Sequence, residues 1–440
     1  MAGRTSIKKV KPVKQLVGEI SIPGDKSISH RAILLNSIAL GDSEVSNLAT
    51  GNDCLSTVKC LKNLGVRFKR KSQEPYALII YGRGHESLVE AQNVLDASNS
   101  GTTMRLLSGI LAAQPFMSII NGDTSLRARP MKRLIDPLRL MGAEIYGRSN
   151  NSYAPLVIKG RELRGICYSL PVPSAQIKSA IMLAGLFASR DVTILQNQIS
   201  RDHTELLLQL MGVRIKKDCS HVSLTPIKRP LKPVSLCVPG DISSASYWFV
   251  AGAIHPNAKI KVINCGINPT RTGIIDVLSE MGAKFVIENQ RSQGNELVAD
   301  ITVESSELRG IQISRDLIPR LVDEIPILAV AACMAKGNTV IKDAGELRVK
   351  ESDRIKTTVS ELSRLGAHIE ELPDGMIIYG GNPLIGAETK SHLDHRLAMS
   401  LAIAGLVARG ETTIHDAQVV QISYPFFWRD LDKFTSGVCN

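Results

Sequence analysis

The chain has 440 residues, 53 Lys and Arg against 42 Asp and Glu, a formal net charge of +11, and 44% hydrophobic residues of which few are aromatic. That length exceeds what one core usually spans, so two domains with aliphatic, closely packed cores are expected. The surplus charge favours anionic partners, but Lys and Arg are scattered rather than interleaved with aromatics, which argues against nucleic acid, and no apolar stretch reaches membrane-spanning length.

The N-terminus lacks the long apolar region of a secretory signal, and the run Lys8, Lys9, Lys11, Lys14 reads as a solvated face. Cys54, Cys60, Cys167, Cys219, Cys237, Cys265, Cys333 and Cys439 form no Cys-x-x-Cys pair and no zinc-type grouping with histidine. Reduced thiols, a cytoplasmic location and no metal are the expectation.

The first chemical signal lies at Pro23-Gly24-Asp25-Lys26-Ser27-Ile28-Ser29-His30-Arg31, and a second of the same design at Asp96 to Arg105. In both, small residues and hydroxyls lead into an apolar helix with a cation in its first turns. Such a helix start presents unpaired N–H groups and the positive end of a dipole, so it is suited to phosphate or carboxylate.

Further along, one phrase returns six times: a small-residue apolar helix, a short polar turn, then a β-branched strand. Its copies are Ala32 to Val45, Leu106 to Ile120, Ala180 to Ile194, Tyr247 to Ile263, Ile327 to Ile341 and Leu397 to Ile414. A second phrase, a leucine-rich helix followed by Gly-Ala or Gly-Val and a strand, occurs at Leu61 to Val66, Leu138 to Ile145, Leu208 to Ile215, Val277 to Ile287 and Leu362 to Ile369. Its glycine is expected to end the helix as a left-handed cap. Six α/β units divide naturally into two lobes of three. Pro239-Gly240-Asp241-Ile242-Ser243-Ser244 echoes the Pro23 phrase without its lysine, and Pro226, Pro230 and Pro233 mark a connecting segment before it. The crossings therefore fall near Ile22 and Val238, giving one lobe of residues 23–237 and a second made of 1–22 with 238–440.

Six ordered motifs resemble the enolpyruvyl transferases. They are Gly24 to Arg31, Asn99 to Arg105, Arg129-Pro130-Met131, Pro173-Ser174-Ala175-Gln176, Leu347 to Arg354 and Asp394-His395-Arg396, and the likeness runs from about Gly18 to Pro425. The match is to the branch of that family acting on shikimate 3-phosphate. The resemblance implies an α/β (α+β) fold, an inside-out α/β barrel of six βαβαββ repeats, three per lobe, with the active-site cleft between lobes. It implies transfer of the enolpyruvyl group of phosphoenolpyruvate to the 5-hydroxyl of shikimate 3-phosphate, through a tetrahedral addition intermediate that expels phosphate. It implies no cofactor. A monomer without nucleic-acid or membrane partners is expected.

Residue by residue, the resemblance places Lys26 on both substrates and Ser27, Arg31, Ser174, Ala175, Gln176, Asp323 and Lys350 on shikimate 3-phosphate. Gly101, Arg129, Arg354 and Arg396, with Gln176 and Lys26, fall on phosphoenolpyruvate, whose planar carboxylate suits a bidentate guanidinium. Asp323 matches the general base and Glu351 the proton donor, with Lys26 and His395 as rivals. Each has a plainer reading. Asp323 could cap the helix before Pro326, Arg129 could be a salt-bridge partner, Arg354 and Arg396 could form structural ion pairs, and His30 and His203 read as packing or hydrogen-bonding residues.

Three departures mark the family's second class. Leu106 follows Arg105 where the better-known form has proline, Ala175 replaces a second serine, and Val420 to Pro425 lacks a C-terminal lysine. What replaces that lysine stays open, as does the strength of inhibition by glyphosate. The related transferase acting on UDP-N-acetylglucosamine carries a cysteine-bearing loop, and no cysteine lies between Cys60 and Cys167. A non-enzymatic polyanion-binding protein is the alternative from another class.

Overall fold

In a computed structural model describing residues 6–71, 74 and 76–436, each small-residue apolar phrase contains a buried helix. These are α1 (Lys26–Ile38), α2 (Gly101–Leu111), α3 (Ala175–Gly185), α4 (Ile242–Ile254), α5 (Ile325–Met334) and α6 (His395–Gly405). A helix that is apolar all round has no face to offer solvent, and every residue of α4 and α6 is buried. The small residues set the packing distance. A Cβ on Gly109 of α2 would lie 2.3 Å from the Ala180 carbonyl oxygen of α3, so only glycine permits that approach.

The leucine-rich phrases form the helices Asn52–Asn63, Lys132–Leu140, His203–Leu210, Gly273–Glu280 and Arg354–Arg364. All five end as expected, with Gly65, Gly142, Gly212, Gly282 and Gly366 at φ between 83° and 108°. After the first, Gly65 N–H donates to the Lys62 carbonyl and Val66 N–H to the Leu61 carbonyl, both at 3.0 Å, and the same pair of bonds closes the other four. This Schellman geometry satisfies the orphan carbonyls and turns the chain into the next strand.

The fold is mixed α/β, with six sheets of three or four strands among the described residues. Four of them share one plan, a parallel pair extended by two antiparallel strands. In one, Leu95–Asp96 runs parallel to Met117–Asn121, which pairs antiparallel with Tyr153–Lys159, itself antiparallel to Glu144–Gly147. Ala154, Leu156 and Ile158 alternate inward along the third strand, as a half-buried strand requires. The N-terminal strand Ile7–Val10 pairs antiparallel with Thr412–His415, which runs parallel to Glu388–Lys390.

Two compact units divide the chain. The first comprises Gly24–Val238 with Ser292–Glu296, and the second the residues up to Pro23, Pro239–Arg291 and those from Leu297 onward. Each has its own hydrophobic core, containing Leu34, Leu107 and Ile181 in the first and Trp248, Leu328 and Leu401 in the second. Lys8, Lys9 and Lys11 of the N-terminal run pair at the surface with Asp432 and Glu411. Seven cysteines are free thiols, and Cys439 lies outside the described residues. No described helix is long and apolar enough to cross a membrane.

Candidate functional site

In the first unit, the starts of α1, α2 and α3 are capped by short polar side chains, as their sequences require. Asp25 accepts from the Ile28 N–H at 2.8 Å, Ser100 from the Thr103 N–H at 3.1 Å and Ser174 from the Ile177 N–H at 3.4 Å. Lys26, the first residue of α1, reaches Asp53 at 3.0 Å, and the Asp53 carbonyl accepts from the Thr103 hydroxyl of α2 at 3.3 Å. A turn further on, Arg31 is buried. Its Nη1 donates to the Ser27 carbonyl at 2.9 Å, its Nη2 to Ser179 at 2.7 Å and its Nε to Thr204 at 2.6 Å. Burial pushes the Arg31 guanidinium down to about 10, against the pull of Glu205, so it stays cationic at neutral pH.

The α2 start gathers a second group. Arg105 Nη1 donates to Gln176 Oε1 at 2.7 Å, and Gln176 Nε2 donates to Thr102 at 2.9 Å, tying α2 to α3. Arg129 Nη2 donates to Asn99 at 2.7 Å. A Cβ on Gly101 would sit 2.8 Å from Arg105 Nη1 and 3.4 Å from Arg129 Nη1, so the bare glycine lets both guanidiniums lie close against the start of α2. His30 is fully buried, with Nδ1 2.7 Å from Thr57 Oγ1. Burial first, then the charges of Lys26 and Arg31, hold it well below the ordinary histidine range, which makes it a neutral hydrogen-bonding residue. His203 is likewise buried, against Glu296 at 2.7 Å.

In the second unit the sequence-nominated residues fall into one ionic network. Asp323, just before α5, faces three cations: Arg354 at 3.3 Å, Arg396 at 3.7 Å and Lys350 at 3.9 Å. Arg354 is also held by Glu351 at 2.5 Å and by Asp394 at 2.8 Å. Asp394 caps α6 by accepting from the Arg396 N–H at 2.9 Å. Asp323 is therefore not the cap of α5; Glu324 occupies that position, and its side chain makes no cap bond. Burial works against the charge of both guanidiniums, yet Asp394 and Glu351 beside Arg354, and Asp323 beside Arg396, raise both above the usual arginine range. Desolvation lowers the Lys350 ammonium, with Asp323 opposing and Arg354 reinforcing the shift.

The structure thus joins Asp323, Lys350, Glu351, Arg354 and Arg396 in one cluster, Ser27 with Arg31 in another, and Gly101, Arg129 and Gln176 around Arg105 in a third. Ser174 and Ala175 form the start of α3. The motifs did not announce Asp53 or Glu324, which reach their partners only through the fold. Asn99, Arg105 and Asp394 stood inside the quoted motifs without an assigned role. Chemically, the first unit offers helix N-termini with fixed cations, and the second a carboxylate acceptor among three cations. Both suit small, multiply charged anions.

The family model for EPSP synthase (3-phosphoshikimate 1-carboxyvinyltransferase) matches residues 10–431. The chain is 51% identical over 422 residues to a 3-phosphoshikimate 1-carboxyvinyltransferase of Herpetosiphon aurantiacus, covering 96% of this chain and 97% of that one. It is 51% identical over 425 residues to the enzyme of the same description from Bacillus cereus, covering 96% and 98%. Among solved structures, the EPSP synthase from Acinetobacter baumannii superposes with a TM-score of 0.86 at 40% identity, with 98% of each chain covered.

Proposed function

Since the chain belongs to the EPSP synthase family, the 3-phosphoshikimate 1-carboxyvinyltransferases, we propose how its side chains divide that family's reaction between them. The activity is transfer of the enolpyruvyl group of phosphoenolpyruvate to the 5-hydroxyl of shikimate 3-phosphate, with release of phosphate.

Lys26, Ser27, Arg31, Ser174, Ala175, Gln176, Asp323 and Lys350 bind shikimate 3-phosphate. Lys26, Gly101, Arg129, Gln176, Arg354 and Arg396 bind phosphoenolpyruvate. The observation that carries this reading is the convergence of Lys350, Arg354 and Arg396 on the single carboxylate of Asp323. Cations placed around an acceptor can hold an anionic substrate beside the group that deprotonates its hydroxyl. Asp323 takes the proton of the 5-hydroxyl as oxygen bonds to C2 of phosphoenolpyruvate, and an acid delivers a proton to C3. In the second step the deprotonated donor takes a proton back from C3, the C2–O bond to phosphate breaks, phosphate leaves with that electron pair, and the enol double bond is restored. Both steps balance without an oxidant or reductant. Glu351 is the C3 donor in this scheme, and Lys26 is the competing ammonium.

The recurring helix pairs and the shared plan of four sheets support a fold of six βαβαββ repeats, three in each unit, in the manner of an inside-out α/β barrel. The protein acts as a cytoplasmic monomer on small molecules, without nucleic acid or membrane. A groove of about 700 Å³ beside the edge strand Arg67–Arg70, lined by Lys62, Arg67, Lys69 and Arg83, is the feature a polyanion-binding protein would use. Charged side chains along an edge strand also prevent pairing with other chains, and that is the role assigned to it.

Steady-state kinetics of two variants test the division of labour. Asp323→Ala should lower kcat by at least about 100-fold with KM for phosphoenolpyruvate within a few-fold, whereas Arg129→Ala should chiefly raise that KM. The reverse pattern would refute the assignment.

A further inference from the structure

The echo of the first motif at Pro239 to Ser244 has no lysine and no place in the scheme above, yet its residues end at Arg396. Asp241 Oδ1 lies 3.2 Å from Arg271 Nη2, and the same nitrogen donates to the Ser243 hydroxyl at 2.7 Å. Because Arg271 can only donate, the Ser243 hydroxyl proton is directed onward, to Glu324 Oε1. Glu324 Oε1 in turn lies 3.8 Å from Arg396 Nη1. Asp241, Ser243, Arg271, Glu324 and Arg396 are all buried, Glu324 completely.

Charges alternate along this chain of contacts: Asp241, Arg271, Glu324, Arg396, then Asp323. The adjacent residues Asp323 and Glu324 engage the two Nη atoms of the one guanidinium, Asp323 at Nη2 and Glu324 at Nη1. At 3.7 and 3.8 Å these are ion pairs rather than hydrogen bonds, and two carboxylates drawing on the two nitrogens bias the orientation of the group more than one would. A fully buried carboxylate also needs a cation, and Glu324 Oε1, which accepts from Ser243, is the oxygen that faces Arg396, while Oε2 has no hydrogen-bond partner among the described residues. Asp323 and Glu324 both contribute to the raised affinity of Arg396 for its proton.

We propose that Glu324, oriented by Ser243 and Arg271, is a positioning residue that sets the guanidinium of Arg396 for phosphoenolpyruvate. This rests on the reading of Arg396 as a phosphoenolpyruvate contact. Glu324 does not touch substrate and acts only through Arg396. The Pro239 phrase thereby acquires a function: its Asp and Ser anchor a cation instead of supplying one.

The test is a double-mutant cycle on the full chain, with Glu324→Gln, Arg396→Lys and the combination, read as KM for each substrate and kcat. Glu324→Gln should raise KM for phosphoenolpyruvate about five- to tenfold, leave KM for shikimate 3-phosphate within about twofold and keep kcat within about threefold. In the Arg396→Lys background the same change should add less than about twofold. Ser243→Ala, a gentler change, should shift KM for phosphoenolpyruvate in the same direction by about twofold or more, and decides the matter if Glu324→Gln does not fold. An unchanged KM, a parallel change in both KM values and kcat, or an equal effect in the Arg396→Lys background would overturn the proposal. If Arg396→Lys alone leaves KM for phosphoenolpyruvate unchanged, the parent reading of Arg396 falls and this one with it.

Discussion

Lys178 of α3 and Glu205 of the helix His203–Leu210 meet at 2.6 Å with both side chains 1% exposed. Their chain neighbours Ser179 and Thr204 supply two of the three hydrogen bonds that hold the Arg31 side chain, the third going to the Ser27 carbonyl. Lys178→Met would remove the cation and leave the Glu205 carboxylate buried. Breaking a buried pair from one side typically costs about 3–5 kcal/mol. Arg31, whose charge is felt by Glu205, offsets a part of this, which favours the lower end. For a unit of about 220 residues, with an unfolding entropy of about 2 cal/mol/K per residue, the melting temperature of the first unit should fall by about 6–11 °C. Removing both charges with Lys178→Met and Glu205→Leu should recover most of that loss, because no unpaired charge then remains. Differential scanning calorimetry of the three proteins reads this directly. A shift of less than about 2 °C in the single variant, or a double variant less stable than the single, would refute the reasoning. Since the pair fixes the elements that carry Ser179 and Thr204, the single variant should also bind shikimate 3-phosphate more weakly.

Gly101→Ala would force a methyl group to 2.8 Å from Arg105 Nη1 and close on Arg129, so it should raise KM for phosphoenolpyruvate and weaken inhibition by glyphosate; unaltered values would show that this space is not used. The native chain should itself be inhibited by glyphosate, and a curve flat to millimolar concentrations would contradict the reading of Gly101 as a phosphoenolpyruvate contact. His30 stays neutral in the folded state while the unfolded chain takes up a proton below its ordinary 6.5. Its contribution to stability is therefore complete above that pH and is lost toward acid, by up to about 1.4 kcal/mol per pH unit. Urea denaturation between pH 5 and 7.5, in buffers of about those values, should show that His30→Gln removes this slope; an unchanged slope would place the proton elsewhere. Oligonucleotide binding at physiological salt should be absent, and tight, salt-steep binding would assign the Arg67–Arg70 groove a role in the cell.

What could be read from the sequence was local. The five Schellman glycines follow from helix ends that need a left-handed residue, and Asp25, Ser100, Ser174 and Asp394 cap helices because a short side chain reaches the next turn's N–H groups. The motif order carried the family, and with it the nominated residues. Pairings across the fold were not legible. Lys26 with Asp53, Lys178 with Glu205, and Ser243 with Arg271 and Glu324 depend on which helices pack together, and no short-range pattern encodes that. Asp323 illustrates the limit: its position before Pro326 fits a cap, but Glu324 takes the cap position and three distant cations claim the Asp323 carboxylate.

Asp323 and the three cations that face it are the groups on which the proposed transfer depends. The most direct measurement is phosphate release by the purified chain given phosphoenolpyruvate and shikimate 3-phosphate, singly and together. Release is expected only with both compounds, with near-complete loss in Asp323→Asn. Release from phosphoenolpyruvate alone, or undiminished turnover in Asp323→Asn, would contradict it.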